Sequence, residues 1–234
     1  MAKSSSVQDL LGLSKPAIAI GYFVEPPAGV AKYEAGEVPA GCSFWQRAQE
    51  GASFYTEQSD HYNCAVGAYT HSIPLPPERA EELGETIGFM VEQRYLREAE
   101  VPMIPVLAES PRYVAYGPVD DAEFKPDVVA VAAEPARAML LYEAALRAGA
   151  GGIAPNIVGR PGCAVEALTM GSGETAMSLG CKGNRTFTGL PDNEMYVSFP
   201  GSKWEAVVEA LTEIVQSNES MGSYYNGQKK KFSY

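Results

Sequence analysis

Two stretches of this chain repeat one order of residues, and any fold it adopts has to accommodate both. Gly41 to Thr70 reads GCSFWQRAQEGASFYTEQSDHYNCAVGAYT, and Gly159 to Gly189 reads GRPGCAVEALTMGSGETAMSLGCKGNRTFTG. In each, a Gly-Cys pair (Gly41-Cys42, Gly162-Cys163) opens a short helix-like run, a glycine about nine residues on closes it, and a second cysteine (Cys64, Cys181) follows. These four are the only cysteines in the chain. The repetition predicts a degenerate internal duplication, with two cysteine pairs related by an approximate twofold axis and converging on one site.

Around these stretches, strand-like and helix-like segments interleave. Ala17–Val24 and Asp127–Ala133 are short, apolar and rich in β-branched residues, so they read as buried strands. Val101–Leu107, Arg112–Gly117 and Glu194–Phe199 read as further strands. Helical periodicity runs over Glu78–Leu96, with Ala80, Leu83, Ile87, Met90, Val91 and Tyr95 on one face, and Gly84 and Gly88 mark a place for close packing. Pro135 starts a helix to about Arg147, and a Ser202/Glu205 capping box opens a last helix that lacks an apolar pattern beyond Ser217. PDVVAVAAEPARAMLLYEA and PDNEMYVSFPGSKWEAVVEA also echo each other, as strand, break and helix. The fold class that follows is α+β or mixed α/β, with mixed sheets covered by helices. Residues 1–217 form one compact domain of two degenerate half-repeats, and 218–234 a frayed basic tail.

Hydrophobic residues make up 46% of the 234 and charged residues 20%, the proportions of an ordinary folded chain. A formal charge of −11 with only 18 Lys and Arg excludes nucleic acid as a partner, because phosphate binding needs clustered cations. No apolar stretch approaches a membrane span and no secretory signal is visible, so the expectation is a soluble cytoplasmic protein. In a reducing cytoplasm four cysteines read as thiols or metal ligands in preference to disulfides.

Cys42 and Cys163 stand at predicted helix starts, where free N–H groups favour the thiolate, so both are expected to ionise easily. Cys64 and Cys181 lie in Gly-rich turns whose amides can hydrogen-bond sulfur, as iron–sulfur clusters require. The spacing departs from compact metal motifs, whose cysteines stand roughly two to four residues apart, and buried packing is the competing reading. His61 and His71 flank Cys64, so zinc held by Cys42, His61, Cys64 and His71 is an alternative to a cluster on the four cysteines. Otherwise the two histidines are surface or hydrogen-bonding residues. Arg160, Asn184 and Arg185, in the glycine loops, are candidates for holding a small anionic ligand or offsetting cluster charge, with Arg185 folded back toward Cys181. Phe44, Trp45, Phe54, Tyr55, Tyr62 and Tyr69 read as core or as an aromatic wall.

GCSFWQRAQEG, FYTEQSDHYNCAVGAYTH, GRPGC and SLGCKGNRTFTGL together resemble a family known as a domain of unknown function, widespread in archaea and anaerobic bacteria. Its motifs match at Cys42, Cys64, Cys163, Cys181, Asn184 and Arg185. The resemblance implies no catalytic role; its occurrence in anaerobes is compatible with an oxygen-sensitive cluster. The expected function is a metal-binding protein, iron–sulfur before zinc, with an electron-transfer or redox role through a partner protein. The alternatives are an enzyme or binding protein for a small anionic metabolite with a reactive cysteine, and a structural or regulatory protein, alone or as a homo-oligomer, whose cysteines pack the core.

Overall fold

The computed structural model describes residues 6–232. Helix α1 (Val7–Leu11), capped by the Ser6 hydroxyl, turns at Gly12 into strand β1 (Ile18–Phe23). Helix α2 (Ser43–Gln49), strand β2 (Phe54–Glu57) and helix α3 (Ala65–Thr70) carry the first repeat. Helix α4 (Pro77–Glu92), with proline in its first turn, precedes strand β3 (Tyr113–Pro118). The second part holds β4 (Val128–Ala133), α5 (Pro135–Arg147), β5 (Asn156–Val158), α6 (Ala164–Ser172), β6 (Ala176–Ser178), α7 (Lys182–Thr188), β7 (Met195–Pro200) and α8 (Trp204–Lys231).

Among the described residues the strands form one mixed sheet in the order β2-β3-β1-β4-β7-β6-β5. Its centre is the antiparallel pair β1/β4, with Ala19 opposite Val129. Outward from that pair the two sides match: β1 is followed by β3 and β2, β4 by β7 and β6, every contact antiparallel. β5 then adds to β6 in parallel, and a single parallel bridge, Lys32 to Tyr55, stands in the same place beside β2. The duplication therefore relates β1 to β4, β3 to β7, α2 to α6 and α3 to α7. It does not follow the PDVVAVAA/PDNEMYVSF echo, which joins β4-α5 to its sheet neighbour β7-α8; those segments look alike because each feeds a covered strand into a helix on the same face.

Residues of β4 alternate between two cores, as the period of two dictates. Val129, Val131 and Ala133 face α1, α5 and α8; Val128, Ala130 and Ala132 face the side that carries α2 and α6. There Phe44 stacks on Tyr116, and Trp45 meets Tyr196 edge-on at 4.9 Å, tying the two halves together beneath the cysteines.

Three expectations change. Val101–Leu107 is no strand: a 3-10 turn covers Glu98–Met103, where Pro102 and Pro105 withhold ladder donors. Gly84 and Gly88 meet nothing within 4 Å, so no element packs closely on α4 there. The last helix continues past Ser217 to Lys231, although only Trp204, Val207 and Leu211 on it are buried. Residues 218–231 of the expected frayed tail are thus helical, and 233–234 lie outside the described residues.

Candidate functional site

Each cysteine occupies the N-cap of a different short helix: Cys42 of α2, Cys64 of α3, Cys163 of α6 and Cys181 of α7. Corresponding members of the two halves share their local geometry. Cys42 and Cys163 have nearly the same backbone angles, φ −66° and ψ −12° against φ −68° and ψ −18°. The Cys64 sulfur accepts the Gly67 N–H at 3.3 Å, and the Cys181 sulfur accepts the Asn184 N–H at 3.4 Å, each satisfying an orphan donor of its helix. Close approach favours glycine: a Cβ on Gly67 would lie 2.8 Å from the Cys64 sulfur and force a shift, and one on Gly162 would crowd the Cys181 nitrogen at 3.2 Å.

All four cysteines line one cavity of about 550 Å³. They are free thiols. Burial pushes the Cys42 thiol up to about 12, with neighbouring Cys64 and Cys181 adding to it. Burial and its sister cysteines also hold Cys163 well above the ordinary thiol range, and burial raises Cys64. The expectation that Cys42 and Cys163 ionise easily is overturned, because loss of solvent outweighs the helix N-terminus. Among the described residues no three His, Cys, Asp or Glu side chains are grouped closely enough to hold a metal ion.

Behind the thiols lies a buried polar network. His71 Nδ1 donates to the Gly67 carbonyl at 2.9 Å, which fixes the tautomer, and Nε2 stands 3.0 Å from Glu166 Oε2. The Tyr22 hydroxyl donates to the same carboxylate oxygen. Thr70 Oγ1 bonds the Gly67 carbonyl at 2.9 Å and lies 3.6 Å from the Cys163 sulfur. Burial pulls His71 toward neutrality, but the Glu166 charge and the bonds to Glu166 and Gly67 raise its pKa overall. His61 is driven down to about 3 by burial and by the charge of His71, and its Nε2 bonds Thr56 Oγ1 at 2.8 Å. Neither histidine is a surface residue. The zinc set Cys42, His61, Cys64 and His71 is not brought together either, since both ring nitrogens of His71 are already engaged.

The remaining candidates separate. Asn184 lines the cavity, 3% exposed, and its side-chain amide has no hydrogen-bond partner. It lies near enough to Cys42 to favour that thiolate, although the contact falls short of hydrogen-bond geometry. Arg160 also lines the cavity, its guanidinium 4.7 Å above the centre of the Tyr95 ring. Arg185 does not. Its guanidinium bonds the carbonyls of Leu179 (2.6 Å), Glu194 (3.0 Å), Leu190 (3.5 Å) and Pro191, bracing the loop that follows β6. Carbonyl acceptors on both sides of α7 capture it before it can turn toward Cys181.

The outer wall of the cavity comes from α4 (Leu83, Ile87, Met90) and from Val101 and Ile104 of the supposed strand. Of the early aromatics, Phe44, Trp45 and Phe54 are core, while Tyr62 and Tyr69 line the cavity. The sequence reading passed over Tyr22, Glu166 and this wall. Glu166 carried a signal, as a lone carboxylate within the apolar run AVEALTM.

The fold and site define an internally duplicated α+β protein with a four-cysteine cavity. The chain belongs to the DUF169 family, described as uncharacterised ArCR, which matches residues 6–210. It is also similar to the uncharacterized protein MJ0308 of Methanocaldococcus jannaschii, at 26% identity over 220 residues, covering 91% of this chain and 94% of that protein. No solved structure matches it. Among the described residues no helix is long and apolar enough to cross a membrane.

Proposed function

We propose that the four cysteines hold an iron–sulfur cluster and that the protein transfers electrons or senses redox state in the cytoplasm. The observation that carries this reading is the convergence of the chain's only four cysteines, one from each of four helix N-caps, on a single cavity. The donor set fits the group: four thiolates bind such clusters, and N–H donors around the sulfurs tune them. Gly67 and Asn184 already donate to two of the sulfurs, and the unpartnered Asn184 amide supplies another donor beside Cys42. When bound, the cluster supplies one-electron chemistry. The residues of the chain hold the thiolates, exclude water, and place Thr70 and the His71–Glu166 pair behind Cys163.

On this reading Cys42, Cys64, Cys163 and Cys181 would hold the metal as thiolates, so that binding would release the protons that burial keeps on Cys42, Cys64 and Cys163. The same burial argues against Cys42 or Cys163 as a free nucleophile, which needs its thiolate near neutral pH. The test is iron and acid-labile sulfide per chain after anaerobic purification, in the parent and in the four single Cys→Ser variants. Iron and sulfide in the parent, lost in every variant, support the cluster. Zinc without sulfide would make this a structural metal site, and four titratable thiols without metal would refute the reading.

A further inference from the structure

The cavity is larger than four thiols and a metal centre require. Metal–sulfur bonds are only about 2.3 Å long, whereas about 550 Å³ lies within the range of pockets for small organic molecules. Its outer wall is also built unusually. Helix α4 spans 16 residues with an apolar face, yet none of its residues is buried. Leu83, Ile87 and Met90 cover no core and look into the cavity instead, facing Val66, Leu96 and Ile104. A helix whose apolar face lines a cavity and has no residue buried gains further packing from whatever fills that cavity.

The rim adds a charge preference. Arg160 and Lys182 both line the cavity and both meet Tyr95: the guanidinium lies over its ring at 4.7 Å, and the Lys182 backbone N–H donates to its hydroxyl at 3.4 Å. Among the described residues neither cation forms an ion pair. The carboxylates nearby are taken: Glu100 by Arg97 at 2.6 Å and Glu82 by Arg79 at 2.7 Å. Two cationic residues without an ion pair, both lining an apolar cavity beside Tyr95, select an anion.

We infer that the cavity binds an organic acid with a large apolar body, the body against Leu83, Ile87 and Met90 and the anionic group on Arg160 and Lys182. This goes beyond the metal reading and stands without it, because the α4 wall and the two cations owe nothing to metal.

Decanoate, decanol and decylammonium share one apolar chain and differ in charge, so they separate the two halves of the inference. In calorimetric titrations of the full chain, decanoate binds at least about tenfold more tightly than decylammonium, the scale of one charge-assisted contact. The double substitution Arg160→Gln/Lys182→Gln lowers decanoate affinity to that of decanol and changes decanol affinity less than about twofold. Ile87→Asp, on a helix without buried residues, weakens all three while circular dichroism stays unchanged. The inference is overturned if none of the three binds, if decanoate and decylammonium bind alike, or if the double variant keeps its preference for decanoate. The titration is repeated on Cys42→Ser/Cys163→Ser. Unchanged decanoate binding there separates this site from the metal reading, and lost binding would show that the acid needs the thiol site and overturn the claim of independence.

Discussion

The two halves of the molecule place their cysteines alike and surround them differently. In the first half α3 ends in the buried His71, and His61 sits beside it in an aromatic cage. In the second half the buried residues Asn184, Thr188 and the hydrogen-bonded pair Thr169–Ser198 bear no titratable group. The first half also supplies α4, the cavity wall, for which the second half has no counterpart on that face. Glu166 crosses between them, reaching from α6 to His71 and Tyr22. The shared part is what brings four cysteines to the lining of one cavity. The unshared part makes the site chemically one-sided, with a titratable network behind Cys163 and an apolar wall over the cavity.

The largest effect should come from the crossing residue. Glu166→Ala leaves His71 Nε2 and the Tyr22 hydroxyl buried without their partner, at a cost of about 3–5 kcal/mol by denaturant titration. Thr169→Val, one turn further along α6 and bonded only to the neutral Ser198, should cost only about 1 kcal/mol. Comparable costs would mean that the reach of Glu166 into the first half is worth no more than a neutral hydrogen bond.

Cys181→Ser sharpens the comparison from the other side. Without metal it should cost about 1–3 kcal/mol from a buried hydroxyl and lost contacts. In a metal-loaded protein the same change should remove metal and lower Tm further, because ligation contributes to folding. Cys64→Ser, its counterpart, should behave the same way.

Arg185→Gln should cost about 1–2 kcal/mol, since it removes charge-assisted bonds from a partly exposed loop. Metal content and decanoate binding should stay unaltered, because the guanidinium faces carbonyls outside the cavity. A change in either would return Arg185 to the site.

The smallest effect at neutral pH should be that of His61→Gln, about 1 kcal/mol for the bond to Thr56. Its signature is in acid. His61 is depressed to about 3, so the unfolded chain binds the extra proton and stability falls as pH drops from about 6.5 toward 3. His61→Gln should flatten that limb of a Tm-against-pH curve. His71, with its pKa raised, has the opposite sign: its contribution is full below about 6.5 and is lost as pH rises through the folded value. His71→Gln should therefore flatten the alkaline side.

Much of this fold is legible in the residues themselves. Val128–Ala133 is a continuous apolar run and becomes a strand covered on both faces; the Ser202/Glu205 segment is periodic and becomes α8. Of the two Gly-Cys motifs, the second has a steric reason, since a Cβ on Gly162 would crowd the Cys181 nitrogen at 3.2 Å, whereas one on Gly41 would meet only an ordinary contact at 3.6 Å. The three-residue strands Asn156–Val158 and Ala176–Ser178 are too short to show a period, and α7 is a polar single run, KGNRTFT. Apolar spacing on α4 signals an amphipathic helix but cannot say that its face meets a cavity in place of a core. Arg185 misleads for a similar reason: proximity to Cys181 in sequence says nothing of the carbonyls that Leu179, Leu190 and Glu194 bring to it.

If both halves build one metal site as proposed, anaerobic reconstitution with iron and sulfide gives the parent a broad visible cluster absorption that is lost equally in Cys64→Ser, from the first half, and Cys163→Ser, from the second. Full absorption surviving in either variant, or a folded parent that takes up no iron while all four thiols titrate, would contradict it.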